Sequence, residues 1–213
     1  MSGAKRGSGT RSNLYSRSKF TNWTPFDPYW SEAKASRSSG RPAATVYVSQ
    51  GSSLPIFANE PHPSFVQPCN PEDVREVLRA CPAEFLAGLE GVFLLSGTSK
   101  QARTLKLFRY GTYAPGRVFL HAYPTRYMAQ HFDTPFPPHL SREFTRWGAD
   151  VAERSGKLIV RFDSSSLRRF YLYDVLLHEL GHHVDDRAFS RPDKAAERFA
   201  EWFAQEQARR LKE

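Results

Sequence analysis

The chain has 213 residues, and its 30 Lys and Arg against 22 Asp and Glu leave a formal charge of +8. No run approaches the roughly 18 consecutive apolar residues of a membrane span, and the basic start MSGAKRGSGTRSNLYSR leads into polar residues instead of a signal-peptide core, so neither insertion nor export is expected. Cys69 and Cys81 form neither a disulfide framework nor a paired-cysteine metal motif, and they read as reduced thiols of a cytoplasmic protein.

Residues 1–41 hold eight bases and two acids, a net +6, together with nine Ser and four Gly. Such a segment buries too little apolar surface to offset its ordering entropy, and it reads as a disordered basic tail ahead of one domain over 42–213. Within it, 22–30 (NWTPFDPYW) carries Trp23, Phe26, Tyr29 and Trp30, enough aromatic surface to fold back onto the body or to dock a partner. The body is close to neutral, so the charge bears on what the tail meets.

After a Pro-rich connector, Val74, Val77, Leu78, Cys81, Phe85 and Leu89 recur at helical spacing and predict a helix over 72–89. Next, 91–97, 104–110 and 117–123 are short runs rich in β-branched and aromatic residues. The last two are expected to form an antiparallel hairpin across the turn sequence GTYAPG. A helix is expected over 140–154 and a strand over 157–163. The class is therefore α+β, with a small, mostly antiparallel sheet.

The segment 167–187 has the length and apolar spacing of a buried helix, and within it stands His178-Glu179-Leu180-Gly181-His182, the H-E-x-x-H pattern. Histidines four apart share a helix face one turn apart, so both imidazoles can bind one tetrahedral Zn²⁺ at ~2.0–2.1 Å. Glu179 lies between them in sequence, free of ligation and able to take a proton from an activated water. By this chain's own composition the pattern arises by chance in about 1% of such sequences, and a chance match would seldom fall on an apolar helix. The competing reading is a pair of satisfied core histidines.

A catalytic zinc needs a third protein ligand. The metzincin extension requires Gly and His where this chain has Asp185 and Ala188, which excludes it. Beyond a short connector with Ser190 and Pro192, the run DKAAERFAEWFAQEQARRLK is helical by propensity, so two adjacent antiparallel helices are expected. His182 and Glu197 then lie each roughly 7 Å from the connection, and Glu201 comes level with His178. Ala196 and Ala200 permit close approach and favour Glu197, with Glu201 as the alternative.

His178-Glu179-x-x-His182 followed by Glu197-x-x-Ala200-Glu201-x-Phe203-Ala204 resembles the gluzincin branch of zincin-like metallopeptidases. The E-x-x-A-x-x-F-A run is similar to the third-ligand helix of the compact ImmA/IrrE type. The resemblance implies a minimal zincin-like fold, zinc held by His178, His182 and Glu197, and Glu179 as catalytic base. It also implies that the strand before the active-site helix is the sheet edge that holds a peptide substrate. Asp174, Asp185 and Asp186 are candidates to orient an imidazole, and Tyr171, Tyr173 and His121 to donate to an oxyanion. His183 points away from the ligand face by about 100°. The functional expectation is a zinc metallopeptidase acting on a peptide or protein. The alternative is a metal-stabilised binding module that docks nucleic acid or an acidic partner through its basic tail.

Overall fold

The computed structural model of the chain describes residues 45–47, 54–98, 109–125, 129–133, 138–188 and 193–211. The tail expected over 1–41 with its aromatic segment, the run 104–108, and the connector with Ser190 and Pro192 lie outside the described residues.

In chain order the first strands are β1 (Thr45–Tyr47), β2 (Ile56–Ala58), β3 (Phe65–Val66), β4 (Gly91–Leu95), β5 (Gly111–Ala114) and β6 (Arg117–His121). They are followed by β7 (Tyr123–Pro124), β8 (Ala129–Asp133), β9 (Asp150–Arg154) and β10 (Lys157–Arg161). The largest sheet has the order β1-β2-β4-β6-β5, while β8-β10-β9 and β3-β7 form two smaller antiparallel ones. Two-residue periodicity divides its faces. Ile56, Val92, Leu94, Val118 and Leu120 are buried on one side. On the other, Phe57, Phe93 and Phe119 share one register row and stack at 4.5 and 5.0 Å.

The fold is α+β, but its main sheet is mixed. β2, β4 and β6 run parallel, and β1 and β5 add antiparallel at the two ends. A parallel neighbour requires a crossover, and helix α1 (Pro71–Ala80) lies in the connection from β2 to β4.

Three predicted elements change, each for a local reason. The helix expected over 72–89 stops at Ala80, because Pro82 forces Cys81 out of the helical region to ψ 146°. A separate short turn of helix, α2 (Ala83–Leu86), follows it. The helix expected over 140–154 is α3 (Pro138–Arg146), ended by Gly148 at φ +88° with the Ala149 N–H donating back to the Phe144 carbonyl. Residues 150–154 are instead strand β9, turned into β10 by Ser155 and Gly156, both at positive φ as a tight two-residue hairpin loop requires. In GTYAPG only Pro115 and Gly116 form the turn, and the first four residues are β5 itself.

The edge expectation is also corrected. β10, the strand before the helical run that carries His178 and His182, is the middle strand of its own sheet. The strand that ends a sheet and touches that helix is β5.

Both cysteines are buried and free. Burial pushes the Cys69 thiol up to about 12, aided by Asp73 and opposed by Arg168, and pushes Cys81 up to about 11, so both stay protonated and unreactive. No described helix is long and apolar enough to cross a membrane.

At the start of α1 the Asn70 side chain accepts from the Asp73 N–H while the Asp73 carboxylate accepts from the Asn70 N–H, both at 2.9 Å. Asn70→Ala removes half of this capping box, and we expect a loss of about 1 kcal/mol in urea unfolding. The cluster of His178, His182 and Glu197, built on other helices, should be unaffected.

Candidate metal centre

The site is carried by one long helical run. Asp163 caps it, accepting from the Ser166 N–H at 2.6 Å while the Ser166 hydroxyl accepts from the Asp163 N–H at 2.9 Å. The run begins as α4 (Ser164–Phe170), widens into a π-helical turn over Tyr171–Leu176, and resumes as α5 (Leu177–Ala188). The single helix expected over 167–187 is thus interrupted by π geometry. That turn re-phases α5 against α4 and is a form found often beside functional sites. Its inward side chains are structural. Tyr171 is buried beside Tyr110, Tyr123 and Phe170, and Tyr173 stacks on Trp147 at 5.8 Å.

α6 (Asp193–Arg210) packs back against α5. Contact is close because Gly181, inside the H-E-x-x-H segment, faces Ala200. A Cβ built on Gly181 would lie 2.8 Å from the Ala200 Cα and 3.2 Å from both the Ala200 carbonyl oxygen and the Phe203 Cβ. Ala200 is fully buried in this seam.

The approach brings three donors together. His178 Nε2 and His182 Nε2 lie 3.1 Å apart, and the Glu197 carboxylate reaches each, Oε2 to His178 and Oε1 to His182, both at 3.5 Å. One ligand atom from each residue fits within 4.8 Å of the other two. Tetrahedral coordination at ~2.0–2.1 Å sets donors about 3.3 Å apart; the imidazole pair is close to this, and Glu197 turns a different oxygen to each imidazole. The chemistry of the set agrees, because three lone-pair donors crowd one point that a divalent cation would satisfy together. The group could therefore hold a metal ion. Side-chain exposure rises from 3% at His178 to 18% at His182 and 25% at Glu197, so the cluster opens on the Glu197 side. Glu201 stays outside it, exposed, and accepts from the Gln205 amide at 3.4 Å.

Glu179 is 8% exposed and lies against β5, where its carboxylate occupies the space a side chain on Gly111 would need. Tyr113, two residues along the same face, holds the end of α5. Its hydroxyl donates to the Asp186 carboxylate at 2.9 Å and lies 3.4 Å from His183 Nδ1, and its ring lies nearly parallel to that of His182. His183 Nε2 donates to the Ala87 carbonyl at 3.1 Å, which makes this fully buried residue a tie between α5 and the chain after α2.

No family model, curated protein or solved structure matches this chain. Geometry and donor chemistry therefore carry the site.

Among the lesser candidates, Asp174 and Asp185 are buried and Asp186 is taken up by Tyr113. His121 alternates with inward-facing Leu120, so it lies on the sheet face away from Glu179, 3.1 Å from the Thr112 hydroxyl. Burial, and then Arg109, push its pKa down to about 4. An oxyanion role for His121 is thus overturned by strand alternation, and the aromatic packing of Tyr171 and Tyr173 gives those two a structural use. Sequence reasoning missed Gly111, Tyr113 and Gly181. The first two were hidden in a run that reads as a turn, and the third is an unspecified position of the motif.

Proposed function

We propose that this chain is a zinc-dependent metallopeptidase with a minimal zincin-like body. The observation that carries the reading is the triangle of His178 Nε2, His182 Nε2 and Glu197 carboxylate at 3.1, 3.5 and 3.5 Å, with Glu179 beside the first ligand. Zinc, when bound by these three, supplies a Lewis acid and lowers the pKa of a coordinated water toward ~7.

The chain's own residues do the rest. His178 and Glu197 approach from facing helices, and the Gly181–Ala200 contact fixes their separation. Glu179, buried and confined against Gly111, accepts the proton of the attacking water and delivers it to the amine nitrogen that leaves. Among the described residues β5 ends its sheet next to this carboxylate, and it is the edge to which an extended peptide would add. The more exposed Glu197 side gives water and substrate their access.

Incubating the full-length, zinc-loaded protein with a mixture of unstructured peptides and reading cleavage by mass spectrometry tests the proposal. Glu179→Gln removes the proton acceptor and leaves the three ligands in place. Cleavage is expected to fall about 10²–10⁴-fold with zinc content unchanged. Cleavage that survives in Glu179→Gln, or zinc-independent cleavage by the wild type, would contradict the reading.

A further inference from the structure

We propose that Gly111 is a positioning residue for Glu179, and that the bare backbone at the start of β5 is the wall that decides where the carboxylate lies. This rests on Glu179 as the proton acceptor and goes beyond it by naming the group that aims it.

The inference comes from space. Gly111 does not stand among the positive-φ glycines, so its lack of a side chain is not explained by backbone conformation. It pairs with Leu120 of β6, whose side chain is buried, and so faces the helix side of the sheet. A Cβ built there would lie 2.7 Å from Glu179 Oε1, 2.9 Å from Glu179 Cγ and 2.7 Å from Val175 Cγ1.

These three contacts are not equally yielding. Val175 is β-branched on a helix and has essentially one rotamer, so its methyl group cannot turn aside. The Glu179 carboxylate sits at the end of a flexible side chain and can swing away. Val175, four residues before Glu179, and Gly111 thus form a slot in which the carboxylate is the movable part. Once Val175→Ala clears the unyielding contact, a methyl group at 111 should expel the carboxylate, while His178, His182 and Glu197, whose contacts are made on α5 and α6, keep their triangle.

The test is Gly111→Ala in full-length protein carrying Val175→Ala, which removes the Val175 methyl contact, alone and with Glu179→Ala added, beside both parents. The stability arm needs no substrate. In the Val175→Ala protein Gly111→Ala should lower the melting temperature, and the same change with Glu179→Ala added should cost clearly less, because the group that must move is gone. Zinc affinity should stay within about threefold of wild type, since no ligand is touched. On a peptide that the wild type cleaves, kcat should fall at least about tenfold with KM little changed, the signature of a displaced catalytic group.

If Gly111→Ala fails to fold in the Val175→Ala protein and folds once Glu179→Ala is added, the obstruction is the carboxylate and the proposal stands. Equal cost in both backgrounds, failure to fold with Glu179→Ala added where Val175→Ala/Glu179→Ala folds, or an unchanged kcat when Gly111→Ala is added to Val175→Ala would overturn it. The two claims can fail separately. A Glu179→Gln protein that cleaves normally defeats the catalytic reading while leaving the coupling between 111 and 179 intact.

Discussion

Gly181→Val is expected to dismantle the metal centre without touching a ligand. At this position even a Cβ would meet the Ala200 Cα at 2.8 Å and the Phe203 Cβ at 3.2 Å. Backbone and a Cβ cannot rotate away, so valine must push α6 off α5. Overpacking of this kind costs about 1–3 kcal/mol, more than valine's better helix propensity returns over glycine. In a chain of this length that is a fall in melting temperature of roughly 2–12 °C. The larger effect is on the ligands. Glu197 lies on α6 about one turn before Ala200, and its carboxylate must stay 3.5 Å from both imidazoles. A displacement of even 1 Å breaks a match to tetrahedral spacing that tolerates only tenths of an ångström, so zinc affinity should drop by more than about 100-fold. Calorimetric titration with zinc and a thermal melt check this together. A Gly181→Val protein with wild-type affinity and melting temperature would show that the seam has room.

The parts of this site legible in the sequence are those set by helical repeat. His178 and His182 four apart fix one face, and the rise per residue, counted from the short connection, brings Glu197 level with His182 and Glu201 level with His178, which leaves both carboxylates as candidates. The alanines at 196 and 200 pointed to close helices, and Ala200 does lie in the seam. What the pattern could not give was the strand that faces the helix. GTYAPG has the composition of a turn, so Gly111 and Tyr113 were assigned to a loop, while the tight turn needs only Pro115 and Gly116. The run 140–154 shows why local patterns mislead. Its apolar spacing suits a helix throughout, but Gly148 in the left-handed region stops the helix, and Ser155 and Gly156 turn 150–154 back onto β10 as a hairpin that the helical spacing masks. The π turn is a subtler case. Over Tyr171–Leu176 the side chains still bury as a helix would, and Tyr171 and Tyr173 pack among aromatics from other elements, contacts that helical spacing alone does not reveal.

The choice between two glutamates one turn apart carries the second large effect. Glu197 is 3.5 Å from both histidines and partly shielded, whereas Glu201 is exposed and engaged by Gln205. Glu197→Ala leaves two imidazoles, too few for a structural or catalytic zinc site, and opens the cluster to water. Loss of a ligand should exceed the 10–100-fold cost typical of second-layer changes, so affinity should fall by more than about 100-fold. Glu201→Ala removes a solvated carboxylate and should leave affinity within about twofold, because surface charges of this kind contribute little.

The central claim is that His178, His182 and Glu197 together hold one zinc ion. Isothermal titration of the full-length apo protein with Zn²⁺, run beside Glu197→Ala and Glu201→Ala, tests it most directly. One ion per chain for wild type and Glu201→Ala, with binding collapsed in Glu197→Ala, is the predicted result. No saturable zinc binding by the wild type, or equal binding by Glu197→Ala, would contradict it.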